Sequence, residues 1–211
     1  SEAPDGNGRL DVAFSFVAAK YLGGDFFDFL QFEDGAVGFF ISDVSGKGIG
    51  PALFGATCKA YLKLLSVSSK DTGSTLRNMN ENLCKFQYEQ LFATGFYMAI
   101  NLQTMSARYS SAGHNRMILI RDQAQEIEYL SAKGLVLGMF FPCEYETRDL
   151  ELSPGDLVVL YTDGVTEWEN PELELYGNER FEALLLKWRH LETEKLKERI
   201  LMELKEFGQG R

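Results

Sequence analysis

The chain is poor in cysteine, histidine and proline, poor in basic charge, and has no long apolar run. Its three cysteines, Cys58, Cys84 and Cys143, are odd in number and widely spaced, with no C-x-x-C pair. That pattern suits reduced, buried thiols in a cytosolic protein and excludes a disulfide framework. With only His114 and His190 beside them, the usual ligands of a structural zinc site are missing. Basic residues number 21 against 31 acidic ones, and the net charge of -10 is the wrong sign for a phosphate backbone or an anionic membrane surface. Nucleic acid is therefore excluded as an expected partner. The longest apolar stretches, Gly134 to Phe141 and Leu157 to Tyr161, fall far short of the ~20 residues of a membrane span, and the amino terminus carries no basic-then-apolar signal. The expectation is a cytoplasmic protein without membrane insertion. Five prolines and 20 glycines in 211 residues that are 45% hydrophobic exclude collagen-like and disordered chains. A chain of this length buries roughly 70% of its unfolded surface and needs no metal to hold its core together.

What is present is ordered along the chain. Residues 1–8 read as a linker end and 9–211 as one domain. Alternation over Asp11 to Ala18, then Asp25 to Phe32 after Gly23-Gly24, then Ala36 to Val44 after Glu33-Asp34-Gly35, predicts a three-stranded meander. Helical periodicity follows over Ile49 to Val67, with Leu53, Ala56, Ala60, Leu64 and Val67 on one face, and over Ser74 to Gln90, with Leu76, Met79, Leu83 and Phe86. Strand signals return at Gly95 to Leu102, Ala107 to Ser111, Met117 to Arg121, Glu126 to Leu130, Tyr145 to Leu152 and Leu157 to Thr162. Two helical stripes close the chain: Phe181, Leu184, Leu185 and Trp188, then Leu196, Ile200, Leu204 and Phe207. The turns between strand runs are too short for parallel crossovers, so the fold class is α+β with antiparallel sheets.

The chemistry lies in aspartates placed at turns beside glycine. Asp25 follows Gly23-Gly24, Asp43 ends an apolar strand before Val44-Ser45-Gly46-Lys47-Gly48, and Asp163 follows Leu157 to Tyr161 and precedes Gly164. Carboxylates at the ends of apolar strands are costly unless a cation neutralises them. Oxygen ligands of this kind suit magnesium or manganese, and two such ions clamp a phosphoryl group and activate a water. Glycines around Asp43 allow close backbone approach, and Lys47 adds positive charge.

These residues carry a resemblance. Gly23-Gly24-Asp25-Phe26-Phe27-Asp28-Phe29, Ser42-Asp43-Val44-Ser45-Gly46-Lys47-Gly48 with Pro51-Ala52-Leu53, Ala112-Gly113-His114-Asn115, and Pro154-Gly155-Asp156 leading to Tyr161-Thr162-Asp163-Gly164-Val165-Thr166-Glu167 resemble the ordered motifs of the SpoIIE/RsbU-type serine/threonine phosphatases, the bacterial branch of the metal-dependent PPM family. The resemblance runs from about Leu10 to Phe207. It implies a four-layer α-β-β-α sandwich with a site for two ions, Mn2+ or Mg2+. Asp43 would bridge them, the Val44 carbonyl and Asp25 would serve one, and Asp163 the other. Gly164 would leave room for the turn, while Glu167, His114 and Lys47 would stand behind the ligands or near phosphate. It further implies a phosphorylated regulatory protein as substrate, a STAS-type anti-sigma-factor antagonist in stress or developmental signalling, control by an upstream sensor domain or partner, and homodimerisation through helices next to the first strands.

The departures from the pattern are specific. The family's final motif, an aspartate pair that supplies a further ligand, is absent before Arg211, and Arg116 stands where a proline is usual. Asp28 is expected to support the ligands from behind or face the sheet, Trp168 and Trp188 to anchor a core or interface, and Glu169 to Glu174 to form a solvated flap. The hairpin also resembles that of diguanylate cyclases, but those need a second acid directly after the first, where Phe26 stands. The remaining alternative is a catalytically silent PPM-like module that binds a partner.

Overall fold

The computed structural model describes residues 8–17, 24–66, 71–85, 91–122, 124 and 126–209. In chain order the strands are β1 (Phe26–Gln31), β2 (Val37–Val44), β3 (Ala93–Ile100), β4 (Ser106–Ala112), β5 (Met117–Ile120), β6 (Glu128–Leu130), β7 (Arg148–Glu151) and β8 (Leu157–Val159). The helices are α1 (Ile49–Ser66) and α2 (Thr72–Lys85) between β2 and β3, then α3 (Gly177–Trp188) and α4 (Thr193–Phe207) after β8. The described residues gather into two compact units, the first drawn from 16–115 and 131–152, the second from 8–15, 116–130 and 153–209. Both sheets are antiparallel, which bears out the α+β class.

The first unit is a five-stranded sheet in the order β1-β2-β3-β4-β7, with α1 against β1 and β2 and α2 against β3 and β4. The β1–β2 hairpin closes where Gly35 takes a positive φ of 80° and the Asp34 carboxylate accepts the Ala36 amide at 3.3 Å. α1 starts after Gly46 and Gly48, both at positive φ, with Pro51 in its first turn, where a missing N–H costs nothing. Asp71 caps α2: its carboxylate accepts the Ser74 amide at 3.0 Å and its carbonyl the Thr75 amide at 3.0 Å. Between helices and sheet lies a core of Phe40, Phe54, Leu62, Met79, Tyr97 and their neighbours.

Two expectations are corrected here. Residues 11–17 form no strand; Phe14, Phe16 and Val17 are exposed, and Asp11 instead accepts the Thr193 amide at the start of α4, 2.9 Å away. Alternation alone does not make a strand when a segment's polar groups serve a helix end. The α1 stripe is also turned around: Leu53 and Leu64 are 62% and 68% exposed, with Ala56 and Ala60 beside them, whereas Phe54, Gly55, Cys58 and Leu62 face the sheet. On that inner face Gly55 permits close approach, while Phe54 and Leu62 supply the apolar bulk that packs into the core. Gly23 and Ala18, Val67, and 86–90 of the expected second helix lie outside the described residues. Leu76, Met79 and Leu83 of that helix are buried as expected.

The second unit is a three-stranded sheet in the order β6-β5-β8, with α3 and α4. Phe181, Leu184 and Leu185 are buried on α3 and Leu196 and Leu204 on α4. Tyr161 packs edge-on against Phe181 at 5.0 Å, and Tyr176 against Phe207 at 5.2 Å. Trp168 is an anchor, as expected: a Cβ on Gly208 would fall 2.5 Å from its Nε1. Trp188 is half-buried, with the Arg199 guanidinium 5.2 Å from its ring. The acidic run is solvated as expected, with Glu169, Glu172 and Glu174 exposed, and it is clasped at its base, where buried Asn170 accepts the Glu174 amide at 2.8 Å and donates to the Glu174 carboxylate at 3.0 Å.

Candidate active site

In the first unit the β1–β2 ladder ends on the pair Phe26 and Ser42. Continuing its register outward sets Asp25 opposite Asp43 and Gly24 opposite Val44. Contact distances agree with this, because a Cβ on Gly24 would fall 2.6 Å from the Val44 carbonyl oxygen and 3.0 Å from Val44 Cβ. Only glycine fits there. Asp25 and Asp43 are partly exposed at the strand end, while Val44 is buried. Beyond it the loop is tied down by Ser45, whose amide donates to the Phe92 carbonyl at 2.9 Å and whose hydroxyl accepts the Phe92 amide at 3.1 Å. Gly46 and Gly48, at φ of 90° and 107°, then carry exposed Lys47 into α1.

Thr94, which sequence reasoning missed, joins this strand end to the Ala112-Gly113-His114 turn. β3 places Thr94 opposite Asp43, and its hydroxyl lies 3.5 Å from the Asp43 carbonyl oxygen and 2.6 Å from His114 Nδ1. A hydroxyl has one proton to give, so donation to Asp43 requires Nδ1 of His114 to carry a proton. His114 is held from its other side by Ser111, whose hydroxyl accepts the His114 amide at 3.3 Å. No local motif marks Thr94; its place follows only from strand pairing.

In the second unit Asp163 opens the turn 163–167. Its carbonyl accepts the Glu167 amide at 2.7 Å and the Thr166 hydroxyl at 3.2 Å. Gly164 and Glu167 are exposed, and a Cβ on Gly164 would meet nothing nearer than Thr162 Oγ1 at 3.8 Å. Arg116 lies with its guanidinium 4.3 Å over the Tyr129 ring, and Tyr129 donates to Glu182 at 2.7 Å.

The structure thus brings Asp25, Asp43, the Val44 carbonyl and His114 to one end of the first sheet, and it sets Asp163, Gly164 and Glu167 in one turn of the second unit. Among the described residues no group of three or more His, Cys, Asp and Glu side chains forms a metal-sized cluster. The donor set of the first unit is two carboxylates and a backbone carbonyl, kept accessible by the missing side chain of Gly24. That is the hard-oxygen chemistry that suits magnesium or manganese.

Comparison with known proteins places the chain. Residues 33–211 match the family Stage II sporulation protein E (SpoIIE). The phosphoserine phosphatase RsbU of Bacillus subtilis is 34% identical over 162 residues, covering 75% of this chain and 47% of RsbU. The chain spans less than half the length of the curated relatives it matches. Among solved structures, the SiaA PP2C domain of Pseudomonas aeruginosa superposes with a TM-score of 0.76 at 20% identity, over 89% of this chain and 74% of that one. RsbX in complex with magnesium gives 0.64 at 21%, over 91% and 83%. At such identities the likeness shows the fold, the α+β PPM type expected from the motifs. On the family match and the RsbU identity together, the chain belongs to the SpoIIE/RsbU-type serine/threonine phosphatases of the PPM family.

Proposed function

We propose that this chain is a metal-dependent phosphatase that hydrolyses phosphoserine or phosphothreonine on a regulatory protein, of the STAS anti-sigma-factor antagonist type, in the cytoplasm. The observation that carries the reading is the strand end where Asp25, Asp43 and the Val44 carbonyl converge in a chain of the SpoIIE family. Mn2+ or Mg2+ bound there would polarise a phosphoryl oxygen and lower the pKa of water toward neutrality. Asp43 and Asp25 would supply the anionic oxygens and the Val44 carbonyl a neutral one. Gly24 keeps that carbonyl open, and the Ser45–Phe92 pair stops the loop from collapsing over it. Thr94 links the Asp43 backbone to His114, and Lys47 presents positive charge toward an incoming phosphate. The family resemblance assigns Asp163 to a second ion, with Gly164 and Glu167 behind it. It also supports control by an upstream domain or partner and a homodimer, for which the outward stripe of α1 offers an apolar face.

The test is manganese-dependent phosphate release from a phosphoserine protein and from a generic phosphate ester, with Asp43→Asn alongside. Release that needs manganese and is lost in the variant supports a metal phosphatase. A folded chain that releases no phosphate but captures a partner protein would instead be the silent binding module.

A further inference from the structure

Asp28 is the only charged side chain in the buried set among the described residues, at 0% exposure, and no ligand role has been given to it. It sits in the middle of β1. The alternation of that strand puts Phe26, Asp28 and Leu30 on the face that α1 covers, with Phe27 and Phe29 on the other. Two lysines one helical turn apart reach the same carboxylate from α1: Lys59 Nζ is 3.5 Å from one oxygen and Lys63 Nζ 3.4 Å from the other. The Phe29 amide also donates to it at 3.0 Å. Both lysines stay partly in water, at 38% and 52% exposure, so their stems cross the helix–sheet seam while their charges keep part of their hydration.

The place of this clamp on α1 gives it a consequence. One turn before Lys59, Gly55 brings the helix against the candidate site: a Cβ there would fall 3.3 Å from the Gly24 carbonyl oxygen, 3.3 Å from Phe26 Cδ1 and 3.5 Å from Val44 Cγ2. Gly24 in turn abuts the Val44 carbonyl. Helix, Gly24 and Val44 form a stack without slack, and the loop after Val44 runs straight into the first turn of α1. Apolar contact between a helix and a sheet is non-directional and tolerates sliding. A buried carboxylate shared by two lysines does not, because it binds only where both ammonium groups reach it, and buried polar contacts act through such specificity more than through net stability.

We infer, resting on the metal-dependent reading above, that Asp28 with Lys59 and Lys63 is a positioning element that fixes the register of α1 over Gly24 and Val44 and so sets the spacing of the Asp25, Asp43 and Val44 donors. The test separates position from mere stability. Removing one partner strands a charge, whereas neutralising all three together as Asp28→Asn with Lys59→Met and Lys63→Met leaves a seam without stranded charge. Mn2+ binding is read without turnover, from loss of the free-ion signal in electron paramagnetic resonance, and folding from thermal unfolding. The expected result is a cooperatively folded triple variant that binds Mn2+ weaker by on the order of 10-fold, with binding retained in Lys59→Arg plus Lys63→Arg. A folded triple variant within about twofold of the parent overturns the inference. If the triple variant does not fold, Asp28→Asn alone takes the same readings, since it leaves only partly exposed lysines behind. A parent chain that binds Mn2+ no better than Asp43→Asn overturns the metal reading itself, and this inference with it.

Discussion

Gly24→Ala is the smallest change that tests the strand end. A methyl group there would stand 2.6 Å from the Val44 carbonyl oxygen and 3.0 Å from Val44 Cβ. An ordinary non-bonded contact is ~3.5 Å, so roughly 0.9 Å has to be found. The obstacle is main chain, which has no rotamer to change, and α1 closes the space behind Gly24 through Gly55. Overpacking of this kind costs ~1–3 kcal/mol. Gly24 is not among the glycines at positive φ, so alanine also stiffens the unfolded chain and returns ~0.4–1 kcal/mol. The net expectation is a loss of ~1–2 kcal/mol by urea unfolding. The displaced atoms carry the proposed Asp25 and Val44 donors, and a misplacement of ~1 Å costs on the order of 100-fold in rate. Manganese-dependent phosphate release should therefore fall far more than stability does. Gly50→Ala is the control: its Cβ would meet only Leu91 Cδ1 at 3.8 Å, in the first turn of α1. Parent-like stability and phosphate release in Gly24→Ala would refute the close approach of Gly24 to Val44 on which the site is built.

Asn80, 1% exposed, accepts the Gly138 amide at 2.8 Å and donates to the Phe140 carbonyl at 2.7 Å. Asn80→Ala removes both bonds, and because Phe140 is exposed and Gly138 half-buried, water takes up part of the loss, so urea unfolding should show a loss of ~1–2 kcal/mol with faster hydrogen exchange at Gly138; a loss under ~0.5 kcal/mol would count against the clasp. For Asp71, partial burial pushes the carboxyl up, but the Ser74 and Thr147 hydroxyls and the Ser74 amide outweigh it and hold it below its ordinary value. The stability this supplies is present above the unfolded carboxyl pKa, near 4, and is lost as pH falls through the lower folded value. Thr147→Val removes the 2.8 Å hydroxyl donor, so its deficit relative to the parent should be largest near neutrality and shrink in acid, and a deficit independent of pH would refute the coupling.

Where local sequence and tertiary demand coincide, the fold was readable. The α2 stripe of Leu76, Met79 and Leu83 is the only apolar face that helix has, so periodicity and burial agree. α1 carries two apolar faces, Leu53 and Leu64 on one and Phe54, Cys58 and Leu62 on the other, and helical periodicity does not choose between them; the close approach of Gly55 to Gly24 and Val44 does. The segment 11–17 alternates like a strand, yet no pattern within it reveals that Asp11 will serve the amide of Thr193, 182 residues away. At the site, Asp25 and Asp43 announce themselves by turn glycines and apolar strands. Thr94 and the Lys59–Asp28–Lys63 contact arise from pairing and helix packing, and a linear text contains neither.

β1 reads Phe26-Phe27-Asp28-Phe29-Leu30-Gln31 and, among the described residues, is the terminal strand of its sheet. Before folding, this is a short aromatic stretch of high strand propensity, the composition that stacks into intermolecular cross-β pairs. Asp28 is its only charge. In the nascent chain that carboxylate has no lysine beside it and stands fully hydrated between apolar neighbours, where it repels a second copy of itself in any in-register stack. The residue that is costly to bury in the finished protein thus guards the chain against aggregation on the way there.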